Sequence, residues 1–214
     1  GYFKIMQEVK SVLDADVAGK RVLVRVDFNV PLDITRGKPQ VADDSRIRAA
    51  LPTINLLRER GAAKIILLAH LGRPHGKVVD ELKMRPVAEK LAELVDTSII
   101  ELRENIRFDP REEDNDLEFA KELAALGDVY VNEAFSNSHR AHASIVGIPK
   151  FLPSYAGLQF EEEIKNLSGT LVPPQGSLAI IGGAKFETKE PLLIKLVAAY
   201  AKVLIGGALA NDVL

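Results

Sequence analysis

Apolar and polar positions along the chain follow two alternating rhythms. Residues 23–28 are a short aliphatic run of strand character that ends on polar Asp27 and Asn29. Pro31 has no N–H to give and stops any ladder beyond them. A helix is predicted over 45–60, where Ile47, Leu51, Ile54 and Leu57 recur at 3.6-residue spacing. Ser45 is its expected N-cap, Gly61 its stop, and Pro52 predicts a kink or a late start. A strand is predicted over 64–69, apolar without interruption after Lys64, and a strand apolar on both faces needs helices on both sides. Then come a helix over 84–95 with Pro86 in its first turn and a strand over 98–102. A helix over 117–126, opened by acidic residues and closed by Gly127, leads to a strand over 129–131. The series β-α-β-α-β-α-β is that of an α/β protein with a doubly wound, Rossmann-like parallel sheet.

A break follows. Pro149 and Pro153 bracket a loop, and a helix over 157–167 carries Glu161, Glu162 and Glu163 near its N-terminal half, as the helix dipole favours. Residues 168–176 are rich in breakers, and a second α/β unit starts after them. It has a strand over 178–181, a glycine turn over 182–185, a helix over 188–201 with Pro191 near its start, and a strand over 203–205. One βαβ unit is too little to bury its own core, so this second domain reads as incomplete. Its open strand edge, within 177–214, is expected to be covered by a missing C-terminal half or by a second chain.

Composition narrows the class. Of 214 residues 47% are apolar, enough for a substantial core, and no window approaches the length of a membrane span. The opening residues lack the pattern of a signal peptide, and the absence of cysteine excludes disulfides and thiolate metal sites. A cytoplasmic protein is expected. The net charge of −2 gives the chain as a whole no electrostatic reason to seek nucleic acid, so any anion site must be local.

The candidate chemistry stands just after the strands of the first sheet. Asp27 and Asn29 follow the first, and His70 and Arg73 the second. Arg103, Asn105 and Arg107 follow the third; His139, Arg140 and His142 follow the fourth, and Arg46 opens the first helix. Parallel strands bring such tips to one edge, where open α/β sheets bind ligands. Guanidinium forks fit phosphate or carboxylate, and Asp27 among them suits a ligand hydroxyl, so the expected ligand is a hydroxylated, phosphorylated acid. Any one of these arginines alone is more often a surface ion-pair residue; their recurrence at successive tips gives the cluster its weight. His139 and His142 read as phosphate neighbours rather than metal ligands, His75 as solvated, and the acidic run 112–116 as an exposed face. Glu133 is open between pairing with an arginine and another role. The turn at Gly182-Gly-Ala-Lys185 lacks P-loop spacing, though its lysines, Lys185 and Lys189, and the following helix N-terminus could face phosphates.

These residues also fall into ordered motifs: Arg25-Val-Asp-Phe-Asn-Val-Pro31, Ser45-Arg-Ile-Arg-Ala-Ala-Leu-Pro-Thr-Ile54, His70-Leu-Gly-Arg-Pro74, Glu104-Asn-Ile-Arg-Phe108, His139-Arg-Ala-His-Ala-Ser144, Gly182-Gly-Ala-Lys185 and Ile205-Gly-Gly-Ala-Leu-Ala-Asn211. Together they resemble the phosphoglycerate kinase family, collinearly and over about the first half of its usual length. The resemblance implies a glycolytic, two-domain hinge kinase moving a phosphoryl group between ATP and the carboxylate of 3-phosphoglycerate. It implies a substrate domain over 1–155, a hinge helix over 156–168 and the incomplete start of a nucleotide-binding domain over 169–214. By motif, Asp27 and Asn29 hold the glycerate end, and His70, Leu71, Gly72, Arg73, Arg107 and Arg140 surround the 3-phosphate. Arg46 and Lys185 are the implied catalytic residues. Lys185, Lys189, Gly183, Gly206 and Gly207 meet ATP or ADP, whose Mg2+ site lies mostly in the missing part. The family's glycine triplet reads Gly206-Gly207-Ala208 here. The piece alone is expected to bind 3-phosphoglycerate or 1,3-bisphosphoglycerate without turnover; the rival reading is a non-catalytic module for a small phosphorylated acid.

Overall fold

Strand β1 (Arg21–Val26) is the middle of a five-stranded, wholly parallel sheet ordered β5-β4-β1-β6-β7. Its partners are β4 (Lys64–Leu68), β5 (Ile100–Leu102), β6 (Val129–Glu133) and β7 (Ser154–Ala156). The computed structural model describes residues 9–35, 37–183 and 189–212 and divides into two compact units, 1–163 and 164–214. The sheet belongs to the first.

The alternation of side chains along β1 sorts the core into two layers. Val22, Val24 and Val26 face α1 (Ser45–Glu59) and α2 (Arg85–Leu94), meeting Ile47, Ile54, Leu57, Val87 and Leu91. Leu23 faces the other way, into a smaller layer with Ile66, Tyr130, Ile148 and the helix α3 (Leu117–Ala124). Helices on both faces explain why β4 is apolar without interruption from Ile65 to Leu68, each fully buried aliphatic side chain contributing ~1.5–3 kcal/mol. Asp116 caps α3, accepting from the amide of Phe119 at 2.8 Å.

Several predicted boundaries shift. Ser45 is the first residue of α1 and not its cap; Asp44 precedes it, with no side-chain capping bond. Pro52 lies inside α1 without delaying its start, on the exposed side, where a missing helix amide is cheapest. Ahead of α1, β3 (Gln40–Val41) pairs with β2 (Leu32–Asp33) in a two-residue antiparallel ladder too short to leave a periodic signal. β7 falls between the loop bracketed by Pro149 and Pro153 and the helix predicted from 157, where the sequence predicts no element. The final helix of the first region, α4 (Leu158–Leu171), runs through the supposed breakers: the hydroxyls of Ser168 and Thr170 donate back to the carbonyls of Ile164 and Leu167.

The outer end of β1 is tied to β6 by Asp128, which accepts from the Arg21 amide at 2.9 Å and from its guanidinium at 2.7 Å. These bonds, the guanidinium's first, hold the Asp128 carboxyl down to about 2. Its contribution to stability is therefore present above the ordinary aspartate range and lost as pH falls through about 2. We expect Asp128→Asn to cost under ~1 kcal/mol at pH 7, since both partners are partly exposed. The gap to the parent should close between pH 4 and 2, read by urea denaturation across that range.

In the second unit β8 (Leu178–Gly182) pairs in parallel with β9 (Lys202–Gly206), joined by α5 (Glu190–Ala199). Ile180 remains 75% exposed and Ile194 64% exposed, with Val197 and Leu204 also open. These are apolar faces without a covering layer. Among the described residues, no helix is long and apolar enough to cross a membrane.

Candidate functional site

The order β5-β4-β1-β6-β7 reverses direction at β1, so the connections after β1 and β6 diverge and leave a crevice at their carboxyl ends. A cavity of about 280 Å³ lies there. β1 supplies Asp27 and Asn29, the loop after β4 supplies His70, Gly72 and Arg73, and the turn after β5 supplies Arg107. The loop after β6 adds Ser136, Asn137, His139 and Arg140, and Arg46 reaches in from the first turn of α1.

Hydrogen bonds fix most of the wall. Asp27 Oδ2 accepts from Arg46 Nη1 at 2.5 Å and from the Ser136 hydroxyl at 2.6 Å, joining β1, α1 and the loop after β6. Asn29 Oδ1 accepts from the amide of Gly72 at 2.8 Å, while the Gly72 carbonyl accepts from Arg107 Nη1 at 3.3 Å. Gly72 has φ +62°, a left-handed conformation that only glycine adopts without strain, and it turns this peptide between the two partners.

The cations are poorly neutralised. Arg107 is 4% exposed, and its Nε stands 3.4 Å from Glu113 without hydrogen-bond geometry. Burial, and then the nearby Arg25 and Arg140, lower its pKa against the pull of Glu113. His70 is pushed down to about 2, by burial first and then by Arg25, Arg107, His142 and Arg140. A site that disfavours its own positive charges in this way is suited to an anion that relieves them.

Beneath the cavity lies a buried polar group. Arg25, fully enclosed, donates to the Ser144 hydroxyl at 3.0 Å and approaches His70 Nδ1 at 3.1 Å. Ser144 in turn donates to Glu112 Oε1 at 2.6 Å, and its amide meets Glu112 Oε2 at 2.9 Å. Glu112 is wholly buried, which corrects the reading of 112–116 as an exposed face; burial raises its pKa, with Arg25 opposing. An acidic run carries no local mark of the one member whose partners lie 32 residues away.

Other candidates separate from the cavity. Leu71 is buried and offers its carbonyl to Asn105, itself buried and structural. Arg103 pairs with Glu101 on the surface, His75 is exposed, and His142 packs toward Glu112 at 3.8 Å. Among the described residues Glu133 pairs with no arginine. Its Oε1 accepts from Thr53 at 2.6 Å and from the amide of Gln159 at 3.1 Å, and its Oε2 from that of Phe160 at 3.3 Å, holding the N-terminus of α4. Ser136 was not foreseen; its one signal is position, three residues past the end of β6.

In the second unit, Gly183 directly follows β8, and its carbonyl accepts from the Leu209 amide at 2.9 Å, beyond β9. Lys189 lies over Gly183; Gly206 ends β9 and Gly207 follows it. Lys185 lies outside the described residues.

A doubly wound sheet with a cation-lined cavity at its switch point is the architecture of an α/β protein for small anionic ligands. The family model for phosphoglycerate kinase matches residues 12–103 and 97–214, and the chain belongs to that family. It is 47% identical to the phosphoglycerate kinase of Herpetosiphon aurantiacus, over 96% of this chain and 57% of that protein. It is 48% identical to the Caulobacter vibrioides phosphoglycerate kinase, over 94% and 55%. The solved phosphoglycerate kinase of Coxiella burnetii superposes with a TM-score of 0.84 at 34% identity, over 95% of this chain and 56% of that one. The chain thus spans little more than half the length of the relatives it matches.

Proposed function

We propose that residues 1–155 bind 3-phosphoglycerate, and its acyl phosphate 1,3-bisphosphoglycerate, in the cavity at the end of β1. The observation that carries this reading is the convergence of Arg46, Arg73, Arg107 and Arg140, from separate segments, around one carboxylate in about 280 Å³. Arg73, Arg107 and Arg140, with His70, suit the phosphate; Asp27 and Asn29 suit the hydroxyl and carboxylate end. Arg46 steadies the group in transfer, with Lys185 as its counterpart.

The acceptor oxygen in such a reaction is already an anion, so these residues need no general base. They orient the acid, exclude water and neutralise charge. The residues after β8 and β9 fit nucleotide phosphates: a Cβ at Gly207 would stand 3.2 Å from the Gly183 carbonyl, so backbone is presented where a side chain would intrude. There Lys189, Gly183, Gly206 and Gly207 would hold ATP or ADP, which supplies or accepts the phosphoryl group when bound with Mg2+. Among the described residues, no group of three or more His, Asp or Glu could hold a metal ion. The helix over 156–168 acts as hinge, and further chain or a second copy covers the apolar faces of residues 177–214. The whole protein is a cytoplasmic enzyme of glycolysis.

Calorimetry with 3-phosphoglycerate should give a Kd on the order of 1 mM for the 214-residue chain, with glycerate not bound. A coupled assay should detect no ADP formation. Equal binding of glycerate would overturn the assignment, and turnover near that of an intact kinase would overturn the claim that the piece is inactive.

A further inference from the structure

Arg25 occupies an interior position of β1 where the layer below the sheet would otherwise receive an aliphatic side chain, and it does not line the cavity. Its guanidinium is placed by three contacts. Nε donates to the Ser144 hydroxyl at 3.0 Å, one terminal nitrogen donates to the Val26 carbonyl, and the other stands 3.1 Å from His70 Nδ1. The placement is itself braced. Ser144 is held by Glu112 through both its amide and its hydroxyl, and its carbonyl accepts from Tyr130 at 2.7 Å.

A guanidinium has hydrogens to give and no lone pair to offer. The contact with His70 therefore has one direction, with Nδ1 accepting. In a neutral ring the proton must then sit on Nε2, and His70 lines the cavity. We propose that Arg25 is a positioning residue that holds His70 as the neutral Nε2–H tautomer, making it a hydrogen-bond donor to the bound anion and not a cation. This rests on the reading of the cavity as an anion site.

The surroundings agree with a neutral ring. Arg25 from β1, Arg107 from the turn after β5, and Arg140 and His142 from the loop after β6 all disfavour a further positive charge there. Asp27, Arg46, Arg73 and His139 complete the cavity's titratable and charged set, and Asp27 is already engaged by Arg46 and Ser136. The arginines thus supply the charge, while His70 supplies a directed N–H whose presence does not change near neutrality.

The test is a long-range proton–nitrogen correlation spectrum of the histidine-labelled 214-residue chain, with His70 assigned through His70→Gln. We expect a pyrrole-type Nε2 and a pyridine-type Nδ1, unchanged from pH 5 to 8, with the Nε2 signal moving on addition of 3-phosphoglycerate. Arg25→Met should let His70 exchange tautomers or titrate, and Arg25→Lys, which keeps a donor, should restore part of the parent signature. An Nδ1–H or doubly protonated ring in the parent protein overturns the proposal, and that spectrum decides even if the Arg25 variants do not fold. If 3-phosphoglycerate binds and the Nε2 signal stays put, the donor role is wrong. If it does not bind while the tautomer is as expected, the ligand assignment fails and the Arg25–His70 pairing stands.

Discussion

Gly157→Ala should cost about 3 kcal/mol of stability, out of proportion to one added methyl group. A Cβ built at Gly157 lies 1.8 Å from Glu133 Oε2 and 2.4 Å from its carboxyl carbon, inside any tolerable contact. Glu133 cannot yield cheaply. It is 5% exposed and holds the Thr53 hydroxyl together with the first amides of α4. Burial raises its pKa while those three bonds pull it back, so the carboxylate is stabilised by the very partners that a displacement would remove. Moving it leaves buried donors unpaired and an acid without its ligands. Urea denaturation of Gly157→Ala, Glu133→Ala and the double variant would check this. The clash vanishes once Glu133 is gone, so the double variant should lose less than the sum of the singles. A cost for Gly157→Ala below about 0.5 kcal/mol would show that the carboxylate moves freely.

Arg107→Met is expected to weaken 3-phosphoglycerate binding about 100-fold, near 2.7 kcal/mol, while leaving thermal stability unchanged or raised. The two halves of that result have one cause. Arg107 is a buried cation with an unbonded Nε, one long bond to the Gly72 carbonyl and Glu113 at 3.4 Å. Replacing an incompletely paired buried charge by an apolar side chain of similar length is often neutral or stabilising for the fold. The ligand, in contrast, loses a charge-assisted partner. Arg103→Ala is the matched control: Arg103 follows the same strand, faces solvent with Glu101 and should leave binding unaltered. Calorimetry and melting curves on the two variants separate the effects. Loss of affinity accompanied by an equal loss of stability would mean that Arg107 is chiefly a structural residue.

How far these features could be read from the sequence depended on how local their causes are. β1 and β4 announced themselves as mainly aliphatic runs buried on both faces, β5 and β6 as short apolar stretches between helical patterns, and the polar residues at their ends marked the edge where the cavity lies. Asp27, Asn29, Arg46, His70, Gly72, Arg73, Arg107 and Arg140 do share one cavity, because parallel topology alone brings strand tips together. β7 was illegible: it is three residues long, comes directly after Pro153 and owes its conformation to pairing with β6. α4 outran its predicted end because serine and threonine hydroxyls can serve a helix as well as break it. Glu112 and Glu133 were misread or left open for one reason. Each is defined by partners distant in the chain, Ser144 for the first and Thr53 for the second.

The smaller of the two apolar layers therefore has a second duty. Ala143 and Ile148 pack there beside Tyr130, in the same segment that sets the height of Ser144 and, through it, Arg25 and the imidazole above. On the proposed reading of the cavity, the lower stratum of the molecule is a shim under the ligand floor, and a methyl group gained or lost at Ala143 or Ile148 is expected to retune anion recognition from below while every residue of the pocket wall keeps its identity.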